Sequence, residues 1–169
     1  MTYIGISRGT YGTIGIIKEN GEVIFQKIPW KWRKAHWDRH LDYKKFTELL
    51  KPYASTQMNE VRTQINAKAL IEKPFTGKKI HWSTRLTTQR FFEAEVAILE
   101  ALDIRYEIVE PIEWERDMFT GKFLKLTSEQ ASLAYGNELY PQLTQEKATD
   151  RDGICMAFYL KNARQFGKK

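Results

Sequence analysis

Apolar and polar positions alternate over residues 2–7, where Tyr3, Ile4 and Ile6 favour extended backbone. They alternate again over 13–18 through Ile14, Ile16 and Ile17. Between the two runs lies the glycine-rich turn Arg8-Gly9-Thr10-Tyr11-Gly12, and Asn20-Gly21 carries a hairpin signal ahead of a third extended run over 23–28. The pattern predicts an antiparallel meander of three strands. Residues 29–40 show no clean period and read as a loop or irregular insertion. Over 42–53, Phe46, Leu49 and Leu50 fall on one side of a helix, with Pro52 near its end. A short buried strand over 68–72 stops at Pro74, and a polar, basic loop follows over 76–84. The strongest helical pattern runs over 87–102, where Phe91, Phe92, Val96, Ile98 and Leu102 give a wide apolar face. A strand over 104–109 completes a strand–helix–strand unit, which implies parallel pairing. Residues 111–126 are mixed and basic. Thr127-Ser128-Glu129-Gln130 is a helix start for a segment reaching about 139. A last helix spans 150–163 and is apolar nearly all round over 154–160, hence buried. Without repeats, low-complexity stretches or linkers, residues 1–169 form one domain of α/β class. Its mixed sheet has three antiparallel strands, then parallel strands, flanked by helices.

Composition narrows the setting. At 42% hydrophobic residues the chain can fill a core, and Cys155 is its single cysteine, so no internal disulfide framework is possible. No apolar run approaches the roughly 18 residues of a membrane span. The first residues lack the basic and apolar regions of a signal peptide, so a cytosolic location is expected. A net charge of +6 favours polyanionic partners only weakly, but its distribution is uneven. Over 27–45, Lys27, Lys31, Arg33, Lys34, Arg39, Lys44 and Lys45 are opposed only by Asp38 and Asp42. Trp30, Trp32 and Trp37 share that stretch. Such aromatics either stack on unpaired bases or cover the core.

No phosphate-binding loop, dinucleotide fingerprint or serine elbow is present. Gly9, Gly12 and Gly15 do not open a helix and read as turn and strand glycines. His36 and His40 have the spacing of a helical metal pair, although in a loop they are a solvated basic segment. Cys155 falls within the buried helix as a core residue. Glu72 leaves a buried strand where sites form in α/β sheets, or is simply a solvated strand end beside Lys73. Asp150 and Asp152 open the last helix. Aspartates cap helix N-termini, but beside Glu72 they also make an oxygen-ligand set for a hard divalent cation. Both reach one site only if Asp150 precedes the first turn.

Three segments together carry a family resemblance: Ile4-Gly5-Ile6-Ser7-Arg8-Gly9-Thr10, Glu72-Lys73-Pro74-Phe75, and Asp150-Arg151-Asp152-Gly153-Ile154-Cys155-Met156-Ala157. Their order and spacing resemble the signature segments of RuvC-type Holliday-junction resolvases along nearly the whole chain. The resemblance implies a ribonuclease H-like fold, a homodimer and Mg²⁺-dependent cleavage of four-way DNA junctions in the cytoplasm of a bacterial or phage-infected cell. It implies two Mg²⁺ ions per site, about 4 Å apart, with Mn²⁺ as a substitute. Glu72 and Asp152 fall on the family's metal ligands. A further ligand is usual where Thr149 stands, and Asp150 is its nearest replacement. Phe75 takes the place of an aromatic wedge at the junction centre. The helix over 87–102 corresponds to one used in dimerisation and beneath the DNA.

The first segment departs from the family. Ser7 occupies the position of a metal-bridging aspartate, and Arg8 that of its usual proline. Either an inactivating replacement or a natural divergence accounts for Ser7, and the loss of the carboxylate implies impaired cleavage. Arg8, Lys73, Lys78, Lys79, Arg85, Arg90, Lys122 and Lys125 supply cations for DNA phosphates. The expected function is therefore a structure-selective endonuclease. Its alternatives are a junction-binding protein that does not cut and another ribonuclease H-like nuclease.

Overall fold

The structure, a computed structural model, describes residues 1–33, 38–54, 56–58, 61–63, 66–74 and 80–163. The expected meander is present as β1 (Thr2–Ile6), β2 (Thr13–Ile17) and β3 (Val23–Lys27). Residues expected to be irregular instead form a hairpin of β4 (Trp30–Arg33) and β5 (Asp38–Leu41). Trp30-Lys31-Trp32-Arg33 has a period of two, but its polar positions are cationic and its apolar ones are tryptophans. The half-turned pattern looks like a charged loop. Asp42 then caps α1 (Tyr43–Leu50) by accepting from the Lys45 N–H.

A second small hairpin, β6 (Thr56–Met58) and β7 (Val61–Thr63), precedes β8 (Ala67–Glu72). Helix α2 (Trp82–Ala101) starts five residues before the expected boundary, capped by His81. Its first turns are solvent-facing, so no apolar period marks them. After β9 (Arg105–Val109), Pro111 at the first helical position starts α3 (Pro111–Met118), a helix the mixed composition concealed. The expected capping box of Thr127 and Gln130 opens α4 (Ser128–Leu139), and α5 (Asp152–Lys161) ends the described fold.

The main sheet has the order β3-β2-β1-β8-β9. The first three strands are antiparallel neighbours, while β1, β8 and β9 run parallel. Strand alternation divides the core. Ile4, Ile6, Ala69 and Ile71 pack with Phe46 and Leu50 of α1 and Phe91 and Leu99 of α2. On the other face Leu70 packs with Trp114 of α3, Ala131 of α4 and Met156 of α5. Ser7 and Glu72 share the parity of Gly5 and Leu70, so both belong to the α5 face.

Two glycines bring α5 unusually close. A Cβ on Gly5 would lie 2.1 Å from the Gly153 carbonyl oxygen, and one on Gly15 would lie 2.4 Å from the Ile154 backbone. The helix therefore rests on the bare backbone of β1 and β2. Its first residue, Asp152, is thereby placed at the strand ends that carry Ser7 and Glu72. Cys155 is fully buried within it, as expected of a core residue.

Candidate active site

In the parallel pairing of β1 with β8, Gly5 lies opposite Leu70 and Ile6 opposite Ile71. One residue further along each strand stand Ser7 and Glu72, both 2% exposed. The chain thus brings Ser7, Glu72, Asp150 and Asp152 to one edge of the sheet, although 137 residues separate Thr13 from its partner Asp150 there.

Each acid is held differently. The Trp114 indole N–H donates to Glu72 Oε1 at 3.2 Å. The Arg8 backbone N–H donates to Oε2 at 3.2 Å, and the Arg8 guanidinium Nε lies 3.5 Å from the same oxygen. Burial raises the Glu72 pKa above the ordinary carboxylate value, and the Arg8 charge and these hydrogen bonds oppose the rise. Asp150 precedes the first turn of α5, which meets the condition for sharing the site. Its Oδ1 accepts from the Thr13 hydroxyl at 2.9 Å and from the Asp152 N–H at 3.2 Å. The N-cap position of α5 is Arg151, without a side-chain cap, so Asp150 stands one residue before it and gives one oxygen to the first N–H of the helix.

Asp152 is half-buried, but its Oδ1 is sealed from solvent and has no hydrogen-bond partner among the described residues. Burial raises its pKa well above the usual value, and the charges of Asp150, Glu72 and Glu115 push it further; the Ser132 hydroxyl works in the opposite direction. Ser7 has its hydroxyl committed. It accepts from the Thr13 N–H at 2.8 Å and lies 3.4 Å from Thr13 Oγ1. Thr13 Oγ1 in turn accepts from the Gly153 N–H at 3.0 Å. One threonine therefore links β2, Ser7, Asp150 and the start of α5.

A cleft of about 390 Å³ opens beside these groups, lined by Arg8, Tyr11, Ser128, Thr149, Asp150 and Asp152. Behind it Arg151 is 1% exposed. Its guanidinium donates to the carbonyls of Leu143, Glu146, Ala148 and Asp150 and to the Asn137 side chain, which fixes the approach to α5. Trp114, Thr13 and Arg151 were not among the sequence candidates. Trp114 and Thr13 act through contacts 42 and 137 residues away, which no local motif marks, whereas Arg151 lies within the last signature segment and its role shows only in its hydrogen bonds.

The proposed DNA contacts divide. Arg8 lines the acidic cleft, and Arg90 lines a neighbouring cleft. Arg85 and Lys125 are exposed. Lys73 pairs with Glu110 at 2.6 Å, and Lys122 pairs with Glu138. Phe75, Lys78, Lys79 and His36 lie outside the described residues. His40 stands on a strand, so the helical metal pair has no basis.

Among the described residues, no three His, Cys, Asp or Glu side chains come together closely enough to hold a metal ion. The donors present fit less than the two-ion site implied by the resemblance. Ser7 brings no charge, and Asp150 Oδ1 is taken by the Thr13 hydroxyl and the Asp152 N–H. The unpartnered Asp152 oxygen and the neighbouring Glu72 suit one hard cation, since Mg²⁺ is commonly held by one or two carboxylates together with substrate phosphates.

The strand order, the change from antiparallel to parallel pairing and the acids at the β1–β8 edge define a ribonuclease H-like fold. The chain is similar in particular to RuvC. One solved structure, T. thermophilus RuvC in complex with Holliday junction substrate, aligns over 95% of this chain and 96% of its own with TM-score 0.58 and 9% identity. A second Thermus thermophilus RuvC structure aligns over 96% and 97% with TM-score 0.51 and 10% identity. At these identities the likeness is one of fold. No protein-family model and no curated protein sequence matches the chain. Among the described residues, no helix is long and apolar enough to cross a membrane.

Proposed function

We propose that this chain binds branched DNA, the four-way junction above all, and hydrolyses its phosphodiester bonds in a divalent-cation-dependent reaction that Ser7 leaves impaired. The observation that carries this reading is the buried, unpartnered Asp152 oxygen beside Glu72, at the strand edge of a fold otherwise seen in RuvC. A bound Mg²⁺ or Mn²⁺ would neutralise the scissile phosphate and lower the pKa of an attacking water. Glu72 and Asp152 would hold it, with Asp150 orienting Asp152 by accepting from its backbone N–H. Two ions per site would require a carboxylate at position 7. Arg8 opposes the burial-driven rise in the Glu72 pKa, and a bound cation would compete with it for Glu72 Oε2. Arg8, Arg85, Arg90 and Lys125 would meet DNA phosphates, as would Lys78 and Lys79. Lys73 and Lys122 would do so on leaving their glutamates, and Phe75 would meet bases. A homodimer with two sites would serve paired cuts.

The Arg8–Glu72 ion pair favours a second reading, in which the chain binds junctions without cutting. The deciding experiment compares binding and cleavage of a labelled four-way junction with Mg²⁺ and with Mn²⁺, for the parent and for Asp152→Asn. Parent cleavage that Asp152→Asn abolishes supports the nuclease. Tight junction binding without cleavage supports the second reading. Equal, weak affinity for junction and linear duplex overturns both. Sedimentation of the same preparation tests the dimer.

A further inference from the structure

Outside the acidic cleft, three large aromatic side chains from three different elements stand open around one cavity of about 540 Å³. Tyr11, on the turn after β1, is 71% exposed; Trp32, on β4, is 57% exposed; Trp82, at the start of α2, is 64% exposed. A cluster of exposed aromatics on separate elements is costly for a fold that could bury them, and such patches mark interaction sites. Packing does not account for them. Trp30 is the hairpin tryptophan that joins the core, whereas Trp32 meets Trp30 edge-on, with ring centroids 5.9 Å apart, and turns outward.

The cavity also carries positive charge. The Arg39 guanidinium lies 4.5 Å from the Trp30 ring, 4.8 Å from Tyr11 and 5.4 Å from Trp32. Among the described residues no carboxylate pairs with it. Arg90 lines the same cavity. A guanidinium stacked on rings keeps its in-plane N–H donors available for an anion or a base edge. Flat aromatic faces beside cations match the chemistry of unpaired nucleotides, which combine a π-face with a phosphate. Tyr11 lines both this cavity and the acidic cleft, so the two adjoin at its side chain.

We infer that the Tyr11–Trp32–Arg39–Trp82 cavity is a binding site for unpaired DNA nucleotides, whose bases stack on the exposed rings while Arg39 and Arg90 engage the adjoining phosphates. The inference deepens the branched-DNA reading and rests on it for the identity of the polymer. It assigns the hairpin β4–β5 to holding a strand end or splayed bases next to the acidic cleft.

The test titrates the full chain into a short single-stranded DNA carrying 2-aminopurine, its linear duplex, and a four-way junction containing the same strand. The parent should bind the single strand and quench the 2-aminopurine emission. Trp32→Ala combined with Trp82→Ala should weaken single-strand binding by about tenfold or more and abolish the quenching, with duplex affinity unchanged. Trp32→Phe with Trp82→Phe should retain most of both. Tyr11→Ala, on a turn outside the hairpin, gives an independent arm with the same direction. Melting curves confirm that each variant is folded. Single-strand affinity that is unchanged in the double alanine variant, or binding without quenching in the parent, overturns the inference. Quenching and single-strand binding without any junction preference would leave this site standing and remove the branched-DNA reading instead.

Discussion

Arg8 holds Glu72 through both its backbone and its side chain: the N–H donates at 3.2 Å and the guanidinium Nε lies at 3.5 Å, both to Oε2. The glutamate side chain is 1% exposed, whereas that of Arg8 is 36% exposed and lines the cleft. A solvent-reachable cation therefore covers a buried carboxyl group, and under the proposed metal-dependent reaction a bound cation would compete with it for Glu72. Removing it takes away the positive charge that opposes the rise in the Glu72 pKa beside Asp152. Arg8→Ala is expected to melt at a lower temperature without divalent ions and to gain more than the parent on adding Mn²⁺, because a ligand that binds only the folded state stabilises it. Thermal melts across a Mn²⁺ titration measure this. Equal Mn²⁺ responses in both proteins would show that Arg8 does not compete with a cation.

Ser7 leads to a related prediction with a different signature. Its hydroxyl is buried and accepts the Thr13 N–H at 2.8 Å, a bond that a carboxylate can also accept. Ser7→Asp would add a fourth carboxyl group to Glu72, Asp150 and Asp152. The variant should be less stable than the parent in a chelator and should recover with Mg²⁺. Its Mg²⁺-dependent junction cleavage should exceed the parent's by orders of magnitude. Cleavage that stays at the parent's level while the variant is folded would mean that position 7 does not take part in the chemistry.

Much of this site is written locally. The three-strand meander, the strand–helix–strand unit and the apolar last helix follow from periodicity and place Glu72 at a sheet edge, while only the family resemblance brings Asp152 to the same edge before any contact is known. The hairpin Trp30–Arg33 with Asp38–Leu41 was hidden because cationic residues fill its polar positions. The first turns of α2 were hidden because Trp82 and its neighbours face solvent and need no apolar period. The Trp114 bond to Glu72 and the Thr13 bond to Asp150 were not legible, since each joins elements distant in sequence. Asp150 illustrates the limit: spacing allowed a ligand or a cap, but the N-cap position falls on Arg151, and Asp150 instead accepts from the Thr13 hydroxyl and the Asp152 N–H.

Thr13 should accordingly matter more than its type suggests. It is fully buried, donates to Asp150 at 2.9 Å and accepts from the Gly153 N–H at 3.0 Å. Thr13→Val keeps the shape, removes one of the two donors to Asp150 Oδ1 and leaves the Gly153 N–H unsatisfied, which should cost about 1–3 kcal/mol. Thr13→Ser keeps the hydroxyl and should cost less. Chemical denaturation of the two variants separates them. If valine is as stable as serine, the hydroxyl does not hold the start of α5.

Glu95 supplies the pH dependence. It lies on α2 between the buried Phe91 and Leu99, is 1% exposed, and its Oε1 has no partner among the described residues. Burial alone pushes its pKa from 4.5 up to about 8. In the unfolded chain the group ionises near its ordinary value, so between these two values the folded state binds the extra proton. Stability is then highest below the unfolded pKa and falls as pH rises toward about 8, by about 1.4 kcal/mol per pH unit from this group. Glu95→Gln removes the titration and keeps the size. It should match the parent near pH 4.5, be more stable by a few kcal/mol near pH 8, and show a flatter stability profile between them. Urea unfolding of both proteins across that range measures the difference. Parallel profiles would show that Glu95 is ionised in the folded state and that the helix face supplies it with a compensating partner.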